Sequence, residues 1–123
     1  MISKLTHVSV PVDDYEQALR WYTEKLGTEL RTDGTFGPGY RFLTVGFPEQ
    51  DDLEIVLFKN MPGSPEVNKV SGWILGTNDC HKEVQALKDK GVQVVMEPQD
   101  APWGIQAAFS DLYGNTFMLV EAK

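Results

Sequence analysis

The pattern of this 123-residue chain is written twice. From Lys4 to Lys59 the residues read strand, helix, strand, strand, strand, and from Ser71 to Glu121 the same order returns. Such a chain is constrained to fold as two copies of one βαβββ unit. The first copy opens on Lys4–Val12, where Val8, Val10 and Val12 alternate with His7 and Ser9, the period of a strand with two unlike faces. Asp13 reads as a helix N-cap with Glu16 completing a capping box. Tyr15, Ala18, Leu19, Tyr22 and Leu26 then follow at helical spacing, and Gly27 is the stop. Glu29–Thr32, a turn-rich stretch to Gly39, and two strand-like runs, Tyr40–Gly46 and Leu53–Lys59, complete the unit.

Residues 60–69 carry Pro62, Gly63, Ser64 and Pro65 without apolar periodicity, so they read as a linker. The second copy has a strand at Ser71–Gly76, a helix capped by Asp79 over Cys80–Lys90, and strands at Val92–Met96, Gln106–Ser110 and Asn115–Glu121. An offset of 66 carries His7 onto Trp73 and Asp13 onto Asp79, and an offset of 62 carries Glu54 onto Thr116 and Val56 onto Met118. The expected fold class is therefore α+β, with residues 1–123 forming one domain of two modules, about 3–59 and 70–121. A helix covers one face of each sheet. Two such sheets can curl as curved mixed sheets around a shared cavity, with the helices outside. Strand alternation then turns Val8, Val10, Ile55, Leu57, Phe117 and Leu119 toward the helices. It turns His7, Ser9, Glu54, Val56, Trp73, Thr116, Met118 and Val120 toward the cavity.

Three segments carry a family resemblance. They are Thr6-His7-Val8-Ser9-Val10-Pro11-Val12-Asp13-Asp14, Ala18-Leu19-Arg20-Trp21-Tyr22-Thr23-Glu24-Lys25-Leu26-Gly27, and Phe109 to Glu121 with its Asp111-Leu112-Tyr113-Gly114-Asn115 turn. Together they resemble the vicinal oxygen chelate superfamily of glyoxalases, bleomycin-resistance proteins and extradiol dioxygenases. The likeness runs from about Lys4 to Glu121. It implies paired βαβββ modules, a homodimer and, in the metal enzymes, a divalent ion held by His or Gln on each first strand and Glu on each last. The matching positions here are His7, Val56, Trp73 and Met118, of which only His7 can ligate a hard ion. Glu54 lies two residues before Val56 on the same strand face, so His7 with Glu54 is the residual metal pair. No metal or other cofactor is expected, with a divalent metal as the alternative.

The other chemistry-bearing residues have plain structural readings beside the functional ones. Trp73 replaces a ligand position and Trp103 sits in a Pro-Trp-Gly loop. With Phe36, Phe58 and Met118 they offer an aromatic and apolar lining for a flat or cationic compound. Trp21, beside Tyr22 on the first helix, is read as packing. Arg41 opens a strand and is a candidate carboxylate clamp, against the reading of a solvated arginine. Gly34–Gly39 lacks the glycine spacing, helix and Lys-Ser/Thr pair of a nucleotide loop. Cys80 is read as core and His81 as surface, and no serine triad is discernible.

Charge and hydropathy narrow the partners. Eleven Lys and Arg against eighteen Asp and Glu give a formal charge of −7, which disfavours nucleic acid as a partner. No apolar run approaches the ~18 residues of a membrane span, and the start of the chain lacks a signal-peptide core. A lone cysteine excludes an internal disulfide and a four-cysteine zinc site. A cytoplasmic protein with a small-molecule ligand is expected. Its candidate ligand-binding residues are His7, Ser9, Phe36, Arg41, Glu54, Val56, Phe58, Trp73, Trp103 and Met118. Two functions follow from the same residues: a bleomycin-resistance-like binding protein, or a glyoxalase-like lyase or isomerase with Glu54 as general base and His7 as ligand.

Overall fold

A computed structural model describes residues 1–35, 37–38, 41–60, 62–63 and 66–123. It folds as two compact units, Met1–Asn68 and Lys69–Lys123. The first contains β1 (His7–Val12), α1 (Tyr15–Leu26), β2 (Glu29–Thr35), β3 (Arg41–Gly46) and β4 (Glu54–Lys59), and the second contains β5 (Ser71–Gly76), α2 (Cys80–Asp89), β6 (Gln93–Ala101), β7 (Gly104–Ser110) and β8 (Thr116–Ala122). Each unit builds one four-stranded mixed sheet, in the order β1-β4-β3-β2 and β5-β8-β7-β6. In both, the first strand lies parallel to the last and the remaining pairs are antiparallel. This is the expected α+β pair of modules.

The helices start and stop where side-chain chemistry allows. Asp79 caps α2 by accepting the Lys82 N–H, as the sequence predicts. At α1 the cap is Asp14, which accepts the Gln17 N–H, and not Asp13. The expected Asp13–Glu16 capping box is thereby displaced by one residue. Gly27 ends α1 at φ 74°, a left-handed conformation that a Cβ would strain, and the Thr28 hydroxyl donates to the freed Tyr22 carbonyl at 2.8 Å.

The observed caps and the second sheet's register both correspond to an offset of 65 between the units. Asp14 and Asp79 are 65 positions apart, not 66. In the first unit β1 meets β4 without interruption, His7 opposite Glu54 and Ser9 opposite Val56. In the second, β5 meets β8 with a shift between Ser71 and Trp73, so that Trp73 lies opposite Phe117 and Ile74 opposite Met118. Gly72 sits at this irregularity with φ 84°, a conformation that suits glycine in a bulge. One extra residue inverts the faces of everything beyond it on that strand. Ile74, not Trp73, therefore shares a face with Met118.

Packing follows the corrected alternation. Val10, Leu43, Val45, Ile55 and Leu57 are buried on the α1 side of the first sheet, and Phe109, Phe117 and Leu119 on the α2 side of the second. Fully burying side chains of this size contributes about 1.5–3 kcal/mol each. The Asp111 turn is tied internally. Asp111 Oδ1 accepts the N–H groups of Tyr113 and Asn115, and Asn115 Oδ1 accepts the Val70 N–H across the unit. Strand β6 runs past its expected end at Met96 to Ala101. It lies at a sheet edge and tolerates Pro98 within a stretch where its pairing is irregular.

Candidate functional site

The face of the first sheet that α1 leaves uncovered collects five of the ten candidate residues. Alternation on β1 and β4 places His7, Ser9, Glu54, Val56 and Phe58 there. Strand β3 adds Phe42 and Thr44, since Leu43 and Val45 turn the other way and Thr44 pairs with Val56. The His7 and Phe42 rings are 5.9 Å apart, centroid to centroid.

Glu54 is the polar centre of this face. Its Oε1 accepts the Thr44 hydroxyl at 2.5 Å, with the Thr32 hydroxyl at 3.4 Å. The first distance belongs to a charge-assisted O–H···O⁻ bond. Thr44 is fully buried, and its Oγ1 also accepts the Thr32 N–H at 3.0 Å. His7 Nε2 approaches the same carboxylate oxygen at 3.9 Å, beyond hydrogen-bond reach, while Nδ1 lies 2.9 Å from the Thr6 hydroxyl. Thr32, Phe42 and Thr44 were not among the sequence candidates. Alternation within Tyr40–Gly46 could have found Phe42 and Thr44, but the cross-strand hydrogen bonds leave no sequence signal.

The uncovered face of the second sheet has different chemistry. Ile74, Thr116, Met118 and Val120 lie on it, with Gln106 and Ala108 from β7. No acid, imidazole or thiol stands among these six. Under the corrected offset the counterpart of His7 is Gly72, not Trp73. Among the described residues no three His, Cys, Asp or Glu side chains gather closely enough to hold a metal ion. His7 and Glu54 alone do not make the donor set that a glyoxalase-type ion needs.

Three candidate residues lie elsewhere. Trp73 turns to the helix-covered side, its ring 5.8 Å from that of Phe117, which in turn lies 5.6 Å from Phe109. Trp103 occupies the tip of the β6–β7 hairpin and is 57% exposed. Arg41 is neither a free clamp nor a solvated side chain. It shares the α1 side with Leu43 and grips Asp33 with two 2.8 Å bonds. It also donates to Glu16 at 2.5 Å and lies over the Tyr15 ring. These contacts hold the Asp33 carboxyl below the usual carboxylate range, the Arg41 hydrogen bond being the main cause. They also raise Arg41 further above its already high value. Phe36 lies outside the described residues.

Cys80 is buried at the start of α2, where its N–H donates to Glu121 Oε1 at 2.7 Å. Desolvation pushes the thiol up, and the Glu121 and Asp79 charges add to the effect. This is the environment of an inert core thiol, not an activated one. His81 is exposed.

Two βαβββ modules joined in one chain, each leaving one sheet face uncovered by its helix, define a paired-module protein class. A sequence model of the Glyoxalase/Bleomycin resistance protein/Dioxygenase superfamily matches residues 4–119, and the chain belongs to that superfamily. Among similar proteins, YurT of Bacillus subtilis, itself uncharacterized, is 33% identical over 126 residues, covering 96% of this chain and 98% of YurT. The crystal structure of UcmS2 superposes with a TM-score of 0.88 at 35% identity, covering 99% of this chain and all of that one. TnmS3, described as an antibiotic binding protein from Streptomyces sp. CB03234, superposes with a TM-score of 0.84 at 36% identity, covering 99% and 98%. Among the described residues no helix is long and apolar enough to cross a membrane.

Proposed function

We propose that this protein binds a small aromatic or cationic compound on the uncovered face around His7 and Glu54, without a full metal site. The observation that carries the reading is the distribution of donors. His7 and Glu54 come from one module, while the corresponding strands of the other carry Gly72, Ile74, Thr116 and Met118. An ion held by two ligands keeps most of its water and binds weakly, whereas aromatic and apolar side chains with one carboxylate suit an organic ligand. The likeness to TnmS3 supports the same reading. The protein is further proposed to act in the cytoplasm as a homodimer, a two-fold partner covering exposed strand edges.

The test is a thermal-shift screen of aromatic cationic antibiotics on protein dialysed against EDTA, with elemental analysis of the same batch before dialysis. Stabilisation by at least one compound, unaffected by the dialysis, is expected. Near-stoichiometric metal that disappears in His7→Ala, with metal-dependent turnover of a hemithioacetal, would establish the lyase reading instead.

A further inference from the structure

Among the described residues no Lys or Arg forms an ion pair with Glu54. Within that set its ion-pair neighbour is His7 at 3.9 Å, and the hydrogen bonds to its carboxylate, from Thr44 and Thr32, fall on Oε1. Among the described residues Oε2 takes none, yet the side chain is only 27% exposed. The carboxylate is therefore held by one oxygen, which leaves the other without a protein partner on the face that also carries His7, Phe42 and Val56.

The support beneath it is directional. Thr44 Oγ1 accepts the Thr32 N–H, a backbone donor with one hydrogen to give, and its own proton is left to point at Glu54. Thr44 is fully buried, so water does not compete for that hydroxyl. From this geometry we infer that Thr44 is a positioning residue for Glu54. Together they select a ligand with a cationic N–H donor on a flat aromatic body, the donor meeting Oε2 and the body lying against Phe42 and Val56. An anionic ligand of the same shape meets an unneutralised carboxylate and is rejected. A charge-assisted hydrogen bond of this kind carries about a tenfold or greater share of affinity.

The inference rests on the small-molecule-binding reading above, and one experiment separates the two. Two probes of similar flat shape, the 9-aminoacridine cation and the anthracene-9-carboxylate anion, are titrated into the full chain and followed by fluorescence anisotropy. The cation is expected to bind at least about tenfold more tightly than the anion. Glu54→Gln removes this preference. Thr44→Val, which keeps the shape and loses the hydroxyl, weakens the cation by about tenfold and leaves the anion unchanged. Thr44→Ser, which keeps the hydroxyl, restores the preference, a result that a merely structural role for Thr44 does not produce. Circular-dichroism melting confirms that each variant is folded. If Thr44→Val is too unstable to assay, the Ser and Gln variants decide alone. Equal binding of both probes by the unsubstituted protein overturns the selectivity inference and leaves the binding reading standing. Binding of neither probe also overturns the selectivity inference, while the antibiotic screen above decides the binding reading separately.

Discussion

Trp73 and Phe117 stand side by side on the helix-covered face of the second sheet, Cα partners across β5 and β8 with ring centroids 5.8 Å apart. A tryptophan so placed contributes to stability through buried area and an aromatic pair, not through contact with a ligand. Trp73→Ala is expected to destabilise the protein by about 2–3 kcal/mol, somewhat below the range for fully buried aromatics because Trp73 is half-buried. Urea unfolding gives the stability change, and the 9-aminoacridine titration should remain within twofold of the unsubstituted protein. A large affinity loss without a stability loss would return Trp73 to the binding face.

Gly104 admits no side chain. A Cβ built there would lie 2.0 Å from the Glu121 carbonyl oxygen, a backbone atom that cannot swing aside. Gly104 pairs with Ala122 where β7 begins, so relief requires the β7–β8 ladder to open at that end. Gly104→Ala is expected to lower the stability by about 2–3 kcal/mol. Hydrogen exchange should show faster exchange at Ala122 and Lys123 than in the parent. Unchanged urea midpoints and exchange rates would refute the close approach.

The Arg41 clamp makes part of the stability depend on pH. Because the fold lowers Asp33 below its ordinary value, its contribution is complete above the usual carboxylate range. It is lost as pH falls through the lowered value. The stability gap between the parent and Asp33→Asn should therefore be open at neutral pH and close in strong acid. Arg41→Lys keeps the charge and loses the two-pronged grip, and should cost about 0.5–1 kcal/mol, since the pair is partly exposed. Chemical unfolding at a series of pH values measures both, and a gap independent of pH would contradict the pairing.

Cys80 should be silent toward thiol reagents while the protein is folded. Its side chain is buried and burial pushes the thiol up, so thiolate is scarce and access is closed. Ellman's reagent at neutral pH is expected to titrate one thiol per chain in denaturant and almost none without it. Rapid reaction of the native protein would show that the start of α2 opens readily.

Much of the architecture was legible because it rests on local chemistry. The duplication, the Asp79 cap, the Gly27 stop and the presence of both helices follow from short-range periodicity and from residues that satisfy their own backbone. The faces of β1 and β4 were equally readable, since neither strand is interrupted and His7, Ser9, Glu54 and Val56 keep one phase. The resemblance carried by the Asp111–Asn115 turn and the Gly27 helix end had the same local origin.

What only tertiary structure decided is the phase of β5 and the partners of the polar groups. Strand alternation has two phases, and the single bulge at Gly72 exchanges them, moving Trp73 off the Met118 face and putting Ile74 in its place. Nothing near Gly72 in the sequence distinguishes a bulge from an ordinary strand glycine, because the bulge exists only in pairing with β8. Arg41 likewise found Glu16, 25 positions away, and Glu54 found Thr44 and Thr32, 10 and 22 positions away. Those distances along the chain are bridged by sheet register and helix packing, so the residues that fix the Glu54 carboxylate became visible only once the strands lay side by side.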